Sequence, residues 1–294
     1  MLDGRDQAEG LRKMLSTGLT RTIAVFGARP GCGATTIAVN LAAALAACGR
    51  RVLLVDEHFG PGNAAGLLGA RSGLELRHAL TGESSLSSVI RVWPSGLMLL
   101  PAAAGARALG RMSPSARGQA VDALGIADAW CDVGVVDALA PATGCHALLG
   151  AVTQETLIVL QPDPVSITQA YVLMKRLRRD YGIERFRVLL NRASARSRAD
   201  RAAANLTQAA RGFLEAELDY AGSVPREDDR VIEAAARSQP LVEAAAGSEA
   251  ATALKALARA ALNWPAAPGG ADSPARLFRK SLHHGGVYRT AAGG

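Results

Sequence analysis

The chain contains few aromatic and few cysteine residues. Phenylalanine, tryptophan and tyrosine together make up 4% of its 294 residues, so we expect a core packed mainly by aliphatic side chains. No two cysteines are spaced as C-x-x-C, which excludes the redox and zinc motifs built on that spacing. We interpret them as reduced packing residues of a cytosolic protein, since they lie in apolar or glycine-rich segments: Cys32, Cys48, Cys131 and Cys145.

Two kinds of apolar segment are also absent. The N-terminus carries Asp3, Arg5, Asp6 and Glu9 and has no apolar core, so we expect no signal peptide. No uncharged apolar run is long enough to cross a bilayer. These absences predict a cytoplasmic location.

A lysine is missing from a glycine-rich loop. An apolar run at 22–26 leads into a glycine-rich turn at 27–33, and a helical pattern follows from Ala34. Strand, glycine loop and helix are typical of a phosphate-binding P-loop, because glycines let backbone N–H groups and the helix N-terminus face an anion. Against the pattern G-x-x-x-x-G-K-[ST], the lysine is replaced by Ala34. The sequence holds no lysine between Lys13 and Lys175, so no substitute lies within this stretch.

Short apolar segments alternate with helical patterns along residues 21–263. Strands are predicted at 22–26, 51–56, 96–101, 131–137, 156–160, 187–191 and 218–224. Helical patterns separate the later ones, at 166–181, 199–213, 231–238 and 249–262. This alternation predicts an α/β fold with one doubly wound, mostly parallel sheet covered by helices on both faces.

Two of the predicted strands end in aspartate, at Asp56 and Asp137. In an open α/β sheet, ligands bind beyond the carboxyl ends of the strands. A P-loop enzyme holds Mg²⁺ through a carboxylate at that place, usually through water. The alternative for Asp137 is an aspartate that caps the following turn, but the P-loop upstream favours the metal.

Segments of different character flank the predicted domain. Residues 1–20 form a leader with a helical pattern, and residues 264–294 begin as a proline- and glycine-rich linker that runs into a basic tail. Two interpretations of the tail stay open: a membrane-surface helix that uses Leu277, Phe278 and Leu282, or a disordered segment.

The formal net charge of +7 is concentrated between Tyr171 and Arg201. An acidic partner or membrane surface would meet the chain there first. A solvated helix and loop is the favoured interpretation, and we expect no nucleic-acid partner.

Three regions resemble the ParA/MinD family of deviant P-loop ATPases, and in particular its FlhG (YlxH, FleN) branch. Residues 29–35, RPGCGAT, lie over the family's K-G-G-x-G-K-T. Residues 161–171, QPDPVSITQAY, are similar to the branch's T-x-P-E-P-x-S-I-T-D-A-Y, and Asn191-Arg192 and Pro225 fall at the spacing of its base-contacting segments. The leader's DQAEGLR fits the branch motif D-Q-A-x-x-L-R at every specified position.

The resemblance implies a cytosolic regulator of flagellar number and placement that dimerises around ATP and Mg²⁺ and associates with the membrane. It implies a partner, a signal-recognition-particle-type flagellar GTPase (FlhF), which the leader stimulates through Asp6, Gln7, Ala8, Leu11 and Arg12. It assigns nucleotide contacts to Gly27, Arg29, Gly31, Cys32, Gly33, Ala34, Thr35, Thr36, Asn191 and Pro225. It assigns the metal and its shell to Thr35, Asp56 and Asp137, and water positioning to Asp56 and position 58.

The departures from the family pattern cluster in the nucleotide site. Ala34 replaces the phosphate-binding lysine, and Arg29 replaces the lysine that reaches across the dimer. His58 stands where a carboxylate helps to position water, and residues 137–141 read DALAP instead of D-T-x-x-G. These changes predict weak or absent nucleotide binding and very slow hydrolysis, because charge stabilisation and water positioning are both compromised.

Three hypotheses follow, in order of preference. The first is a regulator whose leader stimulates the GTPase, with Gln7 orienting the attacking water. The second is a working ATPase that cycles between monomer and membrane-bound dimer, with Arg29 in place of the lost lysine. The third is a ParA-like protein that binds DNA nonspecifically through residues 175–201.

Overall fold

The computed structural model describes residues 21–60, 62–70, 73–105, 131–140, 149–194, 204, 206–207 and 216–265. The leader and the basic tail lie outside the described residues, as do residues 106–130. Of the helix predicted at 199–213, the described residues Ala204, Leu206 and Thr207 are helical.

Eight strands form one sheet in the order β3-β4-β2-β5-β1-β6-β7-β8. All neighbours are parallel except β3, which is antiparallel to β4. The strands are β1 (Arg21–Gly27), β2 (Val52–Asp56), β3 (Arg91–Val92), β4 (Leu97–Pro101), β5 (Val133–Ala138), β6 (Glu155–Leu160), β7 (Arg185–Ala193) and β8 (Glu217–Pro225).

The seven predicted strands are confirmed to within two residues at each end. The structure adds β3, which the sequence did not predict. It consists of only Arg91 and Val92, so it is too short to show the alternation of a strand. The mostly parallel sheet with helices on both faces confirms the predicted fold class.

The helices surround this sheet and include short pieces between β2 and β3. They are α1 (Ala34–Ala47), α2 (Ala64–Leu67), α3 (Leu76–Leu80), α4 (Leu86–Val89), α5 (Pro164–Tyr181), α6 (Asp228–Ala236), α7 (Leu241–Ala244) and α8 (Glu249–Leu262), with a 3-10 turn at Gly150–Val152. Among the described residues, no helix combines the length and the apolar character that a bilayer crossing requires.

The ends of α5 illustrate how local sequence sets the helix boundaries. The Asp163 carboxylate accepts a hydrogen bond from the Ser166 N–H at 2.9 Å, and Pro164 occupies the first turn. At the other end Gly182 adopts a left-handed conformation with φ 68°, which a glycine adopts at little cost. The helix therefore begins close to the carboxyl end of β6, where it can support a ligand site.

The core has two layers, one on each face of the sheet. On one face α1 and α8 pack over aliphatic side chains that include Ile23, Leu41, Leu54, Leu99 and Leu254. On the other face α5 packs over a cluster that includes Phe26, Leu100, Ile158, Met174 and Phe186. The prediction of a mainly aliphatic core is confirmed, and Phe26 and Phe186 are the largest fully buried side chains among the described residues.

The amino edge of the sheet holds a buried ion-pair network. Arg187 is 5% exposed, and its Nε donates to Glu155 at 2.8 Å while its Nη1 donates to Asp219 at 3.0 Å. The ring centroid of Trp264 lies 4.3 Å from the Arg187 Cζ, a distance typical of a cation–π contact. Arg21 donates to the Trp264 carbonyl at 2.6 Å. These contacts fasten the end of α8 to the start of β1.

We expect Gly150→Ala to destabilise the domain. A Cβ at this position would lie 2.4 Å from the Ala138 Cβ and 3.1 Å from the Phe26 Cζ, so β5 or the 3-10 turn must shift. Overpacking of this kind costs about 1–3 kcal/mol of unfolding free energy. Urea unfolding measures the cost, and Gly247→Ala is the matched control because a Cβ there meets nothing within 4 Å. Equal stability of the two variants would contradict this packing.

Candidate functional site

A cavity of about 650 Å³ opens at the carboxyl edge of the sheet. Its floor is the loop between β1 and α1, and one wall is formed by His58 and the residues that follow β5. The opposite wall comes from the ends of β7 and β8 and from α6, including Asn191, Arg192, Pro225 and Asp228. The fold therefore gathers the predicted nucleotide-site segments around one cavity.

The loop between β1 and α1 has the curvature of a phosphate cradle. Gly31 and Gly33 both adopt positive φ, 77° and 90°, a region that side chains rarely occupy. Helix α1 begins at Ala34, and the Ile37 N–H donates to the Gly33 carbonyl at 2.9 Å. The first turn of α1 thus points its free N–H groups into the cavity, as an anion site requires.

Asn191 holds this loop from the end of β7. Its Nδ2 donates to the Cys32 carbonyl at 2.8 Å, and its Oδ1 accepts from the Arg192 N–H at 2.9 Å. A Cβ on Gly33 would lie 2.3 Å from that Nδ2, so position 33 is restricted to glycine by contact as well as by conformation. Asn191 therefore holds the loop through its Nδ2, while its Oδ1 is bound by the backbone of its own strand.

Arg29 contacts the segment between β6 and α5. Its Nε donates to the Ser166 Oγ and its Nη2 to the Gln161 Oε1, both at 2.7 Å, and Asp163 lies 3.5 Å away. Gln161 also donates to the Gly31 carbonyl at 3.3 Å. The segment between β6 and α5 therefore holds both the arginine and the glycine loop.

Among the described residues, the two arginines that line the cavity, Arg29 and Arg192, are both held by other side chains. Ala34 occupies the lysine position, and the described lysines, Lys175 and Lys255, are not among the residues that line the cavity. On the opposite wall Arg192 is paired with Asp228, with Nη2 and Oδ2 2.6 Å apart. Within the described residues, a phosphate would therefore depend chiefly on backbone N–H groups and the end of α1.

Asp56 and Asp137 lie side by side beneath the cavity wall. The two residues are register partners on the neighbouring strands β2 and β5, and they are 1% and 0% exposed. Asp56 accepts hydrogen bonds at 3.0 Å from the N–H groups of His58 and Ala65. Neither carboxylate oxygen of Asp137 has a hydrogen-bond partner among the described residues.

His58 separates these carboxylates from the cavity. Its Nδ1 lies 3.2 Å from an oxygen of Asp137, within ion-pair distance although the two groups are not aligned as a hydrogen bond. This interaction raises the pKa of His58. Burial raises the pKa of Asp56 to about 6, and the charge of Asp137 contributes to the rise.

Glu57 is a buried carboxylate that sequence reasoning did not select. It is 2% exposed, and its oxygens accept from the N–H groups of Leu139 at 3.1 Å and Leu149 at 2.6 Å. Burial raises its pKa to about 7, although these backbone hydrogen bonds act in the opposite direction. Glu57 thus ties the end of β2 to the segments on either side of residues 141–148. Its position directly after Asp56 was the only signal in the sequence.

The residues present fit a divalent cation better than they fit a triphosphate. Two buried carboxylates, one with unpaired oxygens, supply the oxygen ligands that Mg²⁺ prefers. The glycine cradle fits a phosphate by shape, but Ala34 removes the charge that would neutralise it. Mg²⁺ bound here would supply charge neutralisation to phosphate oxygens.

The structure brings most of the predicted site residues together. The cavity lining includes Gly27, Arg29, Gly31, Cys32, Gly33, Ala34, Thr35, Thr36, His58, Asn191 and Pro225. Asp56 and Asp137 lie behind His58. The five residues assigned to GTPase stimulation, in the leader, lie outside the described residues, so that assignment stays a prediction.

Comparison with known proteins gives matches over most of the chain. Residues 23–241 match the model of the CobQ/CobB/MinD/ParA nucleotide-binding domain. The chain is 36% identical to the antiactivator FleN of Pseudomonas aeruginosa over 255 residues, which cover 87% of this chain and 91% of that protein. It is 35% identical to the flagellum site-determining protein YlxH of Helicobacter pylori over 166 residues, 54% of each chain.

Among solved structures, the septum site-determining protein MinD from Pyrococcus horikoshii, complexed with Mg-ADP, is similar with a TM-score of 0.62. The match covers 82% of this chain and 96% of that one at 22% identity. Since the identity is low, this similarity confirms the fold alone.

We expect the unfolding free energy to fall as pH rises from about 4.5 to above 7 because of Glu57. Its pKa is about 7 when folded against an ordinary 4.5, so the folded state holds the proton more tightly and this stabilisation is lost at higher pH. The full effect is on the order of 3 kcal/mol. Asp56 and His58, whose pKa values are also raised, act in the same direction.

Urea unfolding of the metal-free protein at pH 5 and pH 7.5 tests this expectation. Glu57→Gln should show a smaller decrease than the unmodified protein, while the exposed control Glu184→Gln should leave the decrease unchanged. Identical decreases in all three proteins would show that Glu57 is not the group responsible.

Proposed function

Because the chain belongs to the CobQ/CobB/MinD/ParA nucleotide-binding family, we propose that it is a ParA/MinD-type regulator of flagellar number and placement. The observation that carries this proposal is the 36% identity to FleN over 91% of that protein. YlxH, a flagellum site-determining protein by name, supports the same role over about half of the chain. The proposed location is cytoplasmic, with peripheral association at the inner face of the plasma membrane through the basic tail.

The proposed activity resides in the leader. Its Asp6, Gln7, Ala8, Leu11 and Arg12 match the branch motif, and the proposed partner is a flagellar signal-recognition-particle-type GTPase of the FlhF kind. A glutamine can orient an attacking water through its amide, which a GTPase with an incomplete catalytic centre would need from outside. In this proposal the folded domain presents the leader, and Gln7 completes the partner's site.

The proposed nucleotide chemistry of the domain itself is weak ATP binding and very slow hydrolysis. A charge-assisted hydrogen bond contributes about 1.5–3 kcal/mol, so loss of the lysine at position 34 weakens binding about ten- to a hundredfold. The groups that could compensate have other partners: Arg29 is held by Gln161 and Ser166, and Arg192 by Asp228. Binding through the glycine cradle and the end of α1 remains available.

A second candidate function is an ATP-dependent, dimerising ATPase at the membrane. It is favoured by one observation, the open cavity of about 650 Å³ over an intact glycine cradle. In this alternative Arg29 leaves Gln161 and Ser166 and binds the phosphates of the partner protomer's nucleotide. Unlike the first candidate, this alternative requires rapid ATP hydrolysis.

We expect Ala34→Lys to tighten ATP binding about ten- to a hundredfold, because it restores a charged donor at the start of α1. Isothermal titration with ATP and Mg²⁺ measures this change, and a phosphate-release assay measures turnover. Ala47→Lys is the matched control, since it adds the same charge at an exposed position of the same helix.

Unchanged affinity in Ala34→Lys would mean that the missing lysine is not what limits binding. Brisk phosphate release by the unmodified protein would contradict the proposal of slow hydrolysis. ATP-dependent dimers seen by light scattering and lost in Arg29→Ala would favour the second candidate.

We expect Gln7→Ala to lower the GTP hydrolysis that the full chain stimulates in the flagellar GTPase at least about tenfold, since the variant removes a water-orienting contact. The readout is GTP turnover by the GTPase with and without the full-length protein. Gln169→Ala, at an exposed position of α5, is the control and should stimulate normally. Full stimulation by Gln7→Ala would contradict the role of the leader.

A further inference from the structure

We propose that Asp56, His58 and Asp137 form a binding site for a divalent transition metal such as Zn²⁺, and that this site loads without nucleotide. The site lies at the carboxyl ends of β2 and β5, behind the cavity wall. The proposal is independent of the flagellar role, because it requires neither ATP nor a partner protein.

The geometry brings three ligand atoms to one place. One ligand atom from each residue lies within 4.8 Å of the ligand atoms of the other two. Small side-chain rotations would bring these three atoms to the distances found between the ligands of one metal ion. The strand register fixes the two aspartates as neighbours, because Asp56 and Asp137 are partners across β2 and β5. The His58 backbone N–H donates to the Asp56 Oδ1 at 3.0 Å, which fixes the loop that carries the imidazole.

Asp137 points to a ligand more strongly than a cluster of acidic groups does by itself. Its side chain is fully buried, yet neither of its oxygens has a hydrogen-bond partner among the described residues. A buried carboxylate that accepts no hydrogen bond is costly, so such groups normally have a hydrogen-bond partner or coordinate a metal. The atom nearest to supplying a partner is the His58 Nδ1 at 3.2 Å, which also lacks a hydrogen bond in the described structure.

The ligand types select the metal. Mg²⁺ prefers oxygen ligands alone, whereas an imidazole nitrogen with two carboxylate oxygens is a donor set that Zn²⁺ binds well. Affinity for such mixed nitrogen and oxygen sites is higher for Zn²⁺ than for Mn²⁺ or Fe²⁺. His58 therefore changes the preference of the two aspartates from a hard cation towards a transition metal.

The site also has an open position. Three protein ligands leave the fourth position of a tetrahedral zinc to water or another small ligand. His58 lines the cavity while the two aspartates lie behind it, so the ion would reach the site from the cavity past the imidazole. An ion bound here would join the end of β2 to the end of β5 without any contribution from Thr35 or a phosphate.

Isothermal titration of the metal-free, untagged full-length chain with Zn²⁺ alone tests the proposal. We expect one ion per chain, with little competition from millimolar Mg²⁺. His58→Ala should weaken binding at least about tenfold, because even outer-shell substitutions at metal sites cost ten- to a hundredfold. The double variant His283→Ala and His284→Ala is the control for binding by adjacent histidines in the tail, and it should keep the affinity of the unmodified chain.

Absence of Zn²⁺ binding, equal affinity in His58→Ala, or loss of binding in the tail variant would each overturn the proposal. Circular dichroism checks that His58→Ala is folded. A second measurement uses the unmodified chain, so it does not depend on whether His58→Ala folds. In that chain Zn²⁺ should protect His58, but not His78, from modification by diethyl pyrocarbonate, as measured by mass spectrometry. Equal modification of His58 with and without Zn²⁺ would also overturn it.

Discussion

The position of β1 between β5 and β6 is the constraint on which the site depends. Parallel pairing on both sides places the carboxyl ends of these strands at one edge, so the glycine loop, the two aspartates and the start of α5 meet there. Because β2 pairs with β5 in the same register, Asp56 and Asp137 become neighbours although they are far apart in sequence. The buried apolar strands hold this arrangement through both faces of the sheet.

The glycine loop is stabilised by side chains from two other strand ends. Asn191 binds the Cys32 carbonyl from β7, and Gln161 binds the Gly31 carbonyl from the end of β6. Both contacts are made to carbonyl groups, and within the loop the Cys32 N–H donates to the Arg29 carbonyl at 3.3 Å. Contacts within the protein therefore maintain the curvature of the loop. The shape of the site is kept although the lysine that would bind a charged ligand is absent.

The sequence predicted the fold closely because buried parallel strands have a simple signature. Each apolar run that was predicted as a strand became a strand, whereas the two-residue β3 carried no such signal. Contacts that depend on tertiary structure could not be predicted. The pairing of Arg29 with Gln161 and Ser166 joins residues more than 130 positions apart, and no local pattern indicates it. Glu57 was missed for a related reason, since the backbone N–H groups that bind its carboxylate belong to Leu139 and Leu149, which are 82 and 92 positions away.

The hydrogen bond from the Arg21 side chain to the Trp264 carbonyl links the two ends of the described domain. It brings the first strand and the end of the last helix together at the amino edge of the sheet, the edge opposite the cavity. The leader and the basic tail therefore depart from neighbouring points. Any segment that continues from either end of the domain therefore begins at the edge opposite the cavity, so its attachment to the domain does not depend on what the cavity holds.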